Sequence, residues 1–188
     1  MCGSEAQQFC LLFNAEAEAA GWPMRCDAAC LFSERKLNEL YSLWQEKARE
    51  GVPSRAVLDM RTLKGFMRHI TILEKVDTPE GHRYRFRLFG SALAMAFGEH
   101  TGHFLEDMVL PSALPGWMAF YDMVLATRKP LQLINTFRVE MISFLRGELF
   151  AAPLTDDTGE VRYILAATFV DPVEAAHSPF TQAGPLAV

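Results

Sequence analysis

The sequence is short of three things, and each shortage excludes a class of protein. Cysteine is absent beyond residue 30: all four, Cys2, Cys10, Cys26 and Cys30, lie in the leader. That distribution is unlike a disulfide framework laced through a secreted fold, so reduced thiols are expected. Positive charge is scarce: 18 Lys and Arg against 23 Asp and Glu leave a formal net charge of −5. No broad positive field is available for phosphate contacts, and nucleic-acid binding is set aside. Long hydrophobic runs are missing too, every apolar stretch being interrupted well before the roughly 20 residues a membrane helix needs. The opening segment MCGSEAQQFCLLFNAEAEAAG has no basic residue ahead of its apolar patch and is followed by acids, which makes a poor signal peptide. A cytoplasmic protein without a membrane span is expected.

Catalytic and nucleotide motifs are lacking as well. There is no GxxxxGK[ST], and Gly90, Gly98 and Gly102 stand too far apart for a dinucleotide turn. Ser91, in GSALAMAFG, has no nucleophile elbow around it and reads as an N-cap. Glu99, Glu106 and Asp107 occupy helix-terminal positions, where acids favour the helix dipole over acid–base chemistry. Cys26 and Cys30 are four apart, not at the two-residue spacing of a zinc knuckle. A metal or redox role would require Cys10 and His69 to approach them, and free thiols in a loosely held leader are the expectation.

What remains is an ordinary globular composition: 188 residues, 50% hydrophobic and 22% charged, enough for one core. The organisation reads as a partly ordered leader over 1–32, a folded domain over 33–172 and a flexible tail over 173–188. Ser33 caps an amphipathic helix from Glu34 to Arg49, with Leu37, Leu40, Tyr41 and Trp44 as its apolar stripe. Asp59 is placed to cap a short helix within Arg55–Phe66, and Ile70–Val76 reads as a strand. His82–Phe89 alternates sharply, with Tyr84, Phe86 and Leu88 on one side and Arg83, Arg85, Arg87 and Phe89 on the other. The three arginines make an exposed strand face soluble, or clamp an anion or acidic partner. Short helices follow at Ser91–Phe97 and Thr101–Met108, then a longer one from Trp117 to Arg128 beyond a loop bracketed by Pro111 and Pro115. Three strands close the chain near Leu131–Val139, Ile142–Leu154 and Val161–Val170, the last two joined by the hairpin signal Thr155-Asp-Asp-Thr-Gly159. Two strands, helices across, then three strands make an α+β plan with a five-stranded antiparallel sheet, short helices on one face and a flanking N-terminal helix.

The helix LNELYSLWQEKAREGVPSR, the strands ITILEKV and YRFRLFGSAL, the segment FGEHTGHFLEDM and the closing GELFAAPLTDDTGEVRYILAATFVDP together resemble the PAS domain. The likeness is to the small, mostly single-domain bacterial PAS proteins, over roughly residues 33–172. It implies a curved sheet whose inner face, with the short helices, frames a small cavity. Relatives use it for haem, flavin, small organic ligands or nothing identified, and pass a signal through the sheet and flanking helix.

On that likeness, covalent flavin photochemistry is excluded, because FGEHTGHFLEDM has no cysteine where flavin photosensors carry one in a motif resembling GxNCRFLQ. Haem would need an axial imidazole, for which His100 and His103 are candidates, though both read as the polar cap of a short helix. The inward set is Phe86, Leu88, Met95, Phe97, Phe104, Met108, Trp117, Phe120, Tyr121, Phe137 and Phe169. It is either plain core or a pliable apolar pocket in which Asn135, Thr136 or Tyr121 fixes orientation. The expected function is a non-catalytic sensory or regulatory protein that binds a small apolar ligand or a signalling partner. A homodimer is expected, with Leu37, Leu40, Tyr41 and Trp44 at a dimer or sheet contact. The alternatives are a cone-fold enzyme acting on a hydrophobic substrate, for which no buried His or acid can be assigned, and a ligand-free adaptor.

Overall fold

The computed structural model describes residues 3–139 and 143–172; the expectation for the tail lies outside these residues. In chain order the elements are α1 (Gly3–Ala20), β1 (Met24–Asp27), α2 (Arg35–Lys47), β2 (Ile70–Thr78), β3 (Gly81–Phe89), α3 (Ser91–Phe97), α4 (Leu114–Thr127), β4 (Leu131–Val139), β5 (Ser143–Thr155) and β6 (Val161–Pro172). Single 3-10 turns stand at Arg55–Val57 and Leu105–Asp107.

All strand pairs are antiparallel, in the order β1-β4-β5-β6-β2-β3. The five expected strands are β2 to β6. The sixth, β1, comes from the leader and pairs Met24–Asp27 with Asn135–Gln132 at the β4 edge. Its four residues alternate buried and exposed, a pattern too short to read as a strand from sequence.

Small residues at the centre let helices close on both sides of the sheet. Ala151 pairs with Ala166 on the inner face, and Ala152 and Ala167 flank Phe150 on the outer face, so the middle of β5 and β6 leaves room for a helix on each side. On the inner face, α4 packs over β5 and β6 while α1 packs on β1 and α4. On the outer face α2 buries Leu37, Leu40 and Trp44 against Phe150, Leu154 and Leu165. This three-layer arrangement leaves 149–154 of β5 and 164–168 of β6 buried on both faces, as their near-continuous apolar runs require.

Local chemistry moves several boundaries. The N-cap of α2 is Glu34, whose side chain accepts from Lys36 N at 3.0 Å; Ser33, expected as the cap, gives its amide and hydroxyl to the Glu148 carboxylate instead. Gly90 holds the N-cap of α3 and Ser91 is its first residue. Asp59 accepts from Thr62 N at 2.8 Å but closes a turn and not the short helix expected after it. Pro115 lies inside the first turn of α4, where its missing N–H has no helical partner to lose. The β5–β6 turn is built as its residues demand: Asp156 Oδ1 accepts from Thr158 N and Glu160 N, and Gly159 takes φ 86.

Candidate functional site

The inner face is an aromatic layer laid down by β3 and α4. Phe86 on β3 and Trp117, Phe120 and Tyr121 on α4 are buried together with Leu73, Leu105 and Ile164. Their rings touch at close range: Trp117 to Tyr121 with centroids 5.6 Å apart, Phe120 to Tyr121 at 5.5 Å and Tyr84 to Tyr121 at 5.3 Å. Phe97 and Met108, from the short pieces above, are half-buried against this cluster. Burial pushes the Tyr121 hydroxyl well above the usual tyrosine range. Phe104 sits apart, half-buried with the Arg83 guanidinium 3.6 Å from its ring centre. Arg83 is also paired with Glu106.

Besides Phe104, three residues expected in this set lie elsewhere. Met95 is 83% exposed, because Leu93, Ala94 and Phe97 form the inward side of α3 and place Met95 outward. Leu88 belongs to the outer cluster with α2. The cause is a β-bulge: Leu73 pairs with Phe86 and Ile72 with Leu88, leaving Arg87 as the extra residue. A one-residue slip reverses the sides, so Phe89 turns inward and Leu88 outward. Phe169 also lies outside, in phase with Leu165 and Ala167, its ring stacked on His69 at 4.1 Å. The side chain of Phe137 lies outside the described residues.

The polar residues divide in the same way. Asn135, 4% exposed, shares the inward phase of Leu131 and Leu133, whereas Thr136 faces the other way. Among the described residues Asn135 Oδ1 has no hydrogen-bond partner, and its cross-strand neighbour Gly147 contributes no side chain beside it. His100 rests its ring on Phe89, 5.4 Å between centres, with Nε2 3.1 Å from Phe97 O. His103 lies 3.8 Å from Asp107. Among the described residues no three His, Cys, Asp or Glu side chains converge as a metal site.

On the outer face the α2 stripe is committed to the sheet: Trp44 Nε1 donates to Pro153 O at 3.1 Å, and Tyr41 meets the rings of Phe32 and Phe150 edge-on. The arginine row of β3 is likewise engaged, Arg85 and Arg87 both reaching Glu74. Burial alone would raise the Glu74 carboxyl, but hydrogen bonds from Arg85 and Tyr163 hold it below the usual range.

Two features went unread in the sequence. One is an open concavity of about 440 Å³ lined by Lys75, Asp77, His82, Asp122, Leu125 and Arg162 among others. There Asp122 Oδ1 accepts from the Tyr84 hydroxyl at 2.8 Å and lies 2.7 Å from His82 Nε2, close enough for an ion pair but not aligned as a hydrogen bond. Burial first, and the Asp122 charge second, hold Tyr84 far above the usual tyrosine range. The other feature is in the leader, where Cys10 and Cys26 are buried and in contact instead of loosely held. Neither shows a spacing signal, because Tyr84 and Asp122 are 38 residues apart and Cys10 and Cys26 are 16, both beyond helical or turn spacing.

A family model described as PAS domain matches residues 32–168. No curated protein matches. Among solved structures, an RNA-binding light-oxygen-voltage receptor is 13% identical over 61% of this chain and 33% of its own, with a TM-score of 0.44. A light-oxygen-voltage domain studied with a flavin analogue is 16% identical over 64% of this chain and 90% of its own, with a TM-score of 0.45. The chain thus spans a third of the length of the first and most of the second.

Proposed function

The chain belongs to the PAS domain family, and from that membership, which suggests a sensory signalling role, we propose that it is a non-catalytic sensory protein taking a small apolar ligand on the inner face of its sheet. The observation that carries this reading is Asn135 Oδ1: a buried amide oxygen without a hydrogen-bond partner among the described residues, in the inward phase of a mostly apolar face and opposite a glycine. A buried acceptor left unpaired costs about 1–3 kcal/mol, a cost that a ligand donor would remove. The ligand is therefore an apolar molecule with one N–H or O–H, entering under the half-buried side chains Phe97 and Met108. Its occupancy reaches a partner protein by shifting how α1 and α2 pack on the two sheet faces.

Native mass spectrometry and an absorption spectrum of the purified protein test for a carried molecule, and Nile red fluorescence titration tests for a vacant apolar site. Bound mass that disappears in Asn135→Leu while the unfolding midpoint holds or rises, or saturable Nile red binding in the wild type that a competing apolar alcohol displaces less well in Asn135→Leu, is the expected result. No carried mass and no Nile red binding in the wild type would sink the ligand reading. The adaptor reading would then stand, favoured by the complete burial of Phe86, Phe120 and Leu105 in one inner cluster.

A further inference from the structure

Cys10 on α1 and Cys26 on β1 face each other with their Sγ atoms 2.7 Å apart. Both are free thiols and both are buried, 5% and 2% exposed. The surrounding chain fixes this contact. Asn14, one helical turn beyond Cys10, grips the Cys26 backbone twice, its amide donating to Cys26 O at 2.9 Å and its Oδ1 accepting from Cys26 N at 2.7 Å. Gly21, at φ 70, reverses the chain between the two elements, and Trp22 N returns to Ala17 O at 2.8 Å. Helix and strand are thus held in a register that keeps the sulfurs together.

Cys30 supplies the contrast. It lies in the outer-face cluster, directs its thiol at Pro130 O 3.5 Å away, and is pushed up to about 12 by burial. Cys10 moves the other way: the hydrogen bond from Cys26 outweighs burial and holds its thiol below the ordinary value, while the same bond and burial hold the Cys26 proton in place. A more acidic thiol with a second thiol in contact is the arrangement that an attacking and a resolving cysteine need, the second sulfur giving up its proton as it attacks.

We propose that Cys10 and Cys26 are a peroxide-responsive dithiol whose disulfide fastens α1 to β1. Hydrogen peroxide is the oxidant because the pair is closed to bulky disulfides, while a small molecule reaches it when the leader helix opens locally. The Cys10 thiolate attacks one peroxide oxygen: an S–O bond forms, the O–O bond breaks, and hydroxide leaves to be protonated to water. The Cys26 sulfur then attacks the Cys10 sulfenic acid: the S–S bond forms, the S–O bond breaks, and the departing hydroxide takes the Cys26 proton as water. Two thiols lose two electrons and one peroxide becomes two waters. The product ties the helix covering part of the inner face to the sheet edge, whether or not that face holds a ligand.

The test uses the full chain. Stoichiometric peroxide is added, the remaining thiols are alkylated under denaturing conditions, and the protein is cut after Glu5, Glu16 and Glu18 and before Asp27, which puts Cys2, Cys10, Cys26 and Cys30 on separate peptides. A Cys10–Cys26 crosslink, a fall of two in the thiol titre, at least tenfold slower amide exchange across 3–20, and reversal of all three by dithiothreitol are expected. In Cys26→Ser the reaction stops at a Cys10 sulfenic acid captured by dimedone. The proposal fails if both thiols remain alkylatable, if the crosslink joins another pair, or if the crosslink forms and exchange across α1 is unchanged.

Discussion

Gly90 has no room for a side chain. A Cβ built there would lie 2.5 Å from the Arg68 carbonyl oxygen and 2.8 Å from that of Met67, backbone atoms that cannot swing aside. Gly90 N also donates to Ile70 O at 2.9 Å, and Ala92 N to Arg68 O, so the glycine is where β3 hands over to α3 against the preceding segment. Gly90→Ala should lower stability by about 1–3 kcal/mol in urea unfolding, as overpacking does. Gly65→Ala, with open space around the added carbon, should be near neutral. If the two variants unfold alike, the close approach is not structural. His69 makes a prediction of opposite character. Burial against Phe169 holds its imidazole below the usual value near 6.5. The unfolded chain therefore takes up this proton first as pH falls, so the neutral side chain favours folding above about pH 6.5 and that contribution is lost below it. His69→Phe should flatten the loss of stability between pH 7 and pH 5, measured by thermal unfolding at each pH.

Among the elements, α2 owes its anchoring to a residue far along the chain. Glu148 on β5 accepts from Ser33 N at 2.9 Å, Ser33 Oγ at 2.8 Å, Glu34 N at 3.0 Å and Gln132 Nε2 at 2.7 Å. One carboxylate thus satisfies the chain entering the helix and sits at its positive end. Glu148→Ala should cost about 1–2 kcal/mol, the scale of a lost cap, and speed amide exchange at residues 35–38 while β5 stays protected; unchanged exchange there would count against the anchor. The sequence showed α2 through its stripe of Leu37, Leu40 and Trp44, and the β5–β6 hairpin through Thr155-Asp-Asp-Thr-Gly159, because helical spacing and turn chemistry are local. Phe86, Trp117, Phe120 and Tyr121 were legible for the same reason. The faces of Leu88 and Phe169 were not. A bulge at Arg87 reverses the alternation of β3 without any mark in its residues, and β6 is apolar on both sides, so parity alone cannot say which side of the sheet a phenylalanine takes. Glu148 and Asp122 act through partners far along the chain, and the Cys10–Cys26 pair joins a helix to the strand after it across 16 residues, a separation that no helical or turn spacing rule reaches.

For the whole molecule, the decisive question is whether the leader belongs to the fold. The family match begins at residue 32, yet α1 places Cys10, Phe13 and Ala17 in the inner core with Phe120 and Trp117, Phe13 standing 6.2 Å from both Phe120 and Trp22. Trp22 in turn closes over Gly116 of α4, where an added Cβ would lie 2.9 Å from its ring. β1 covers the β4 edge, whose backbone groups would otherwise be open to pairing with another chain. Deleting residues 1–27 would therefore strip apolar cover from α4 and bare a sheet edge at once. Truncation of Phe13 alone to alanine should cost about 3–5 kcal/mol, in the range for a buried phenylalanine. The deletion should cost more, and should convert the chain into a species that associates with rising concentration in light scattering. Under this account, association follows from lost cover and not from a dimer surface on α2, since Leu37, Leu40 and Trp44 remain buried against the outer face. A shortened chain that keeps both its unfolding midpoint and its size in solution would show that residues 1–27 are an appendage and that the core is complete without them.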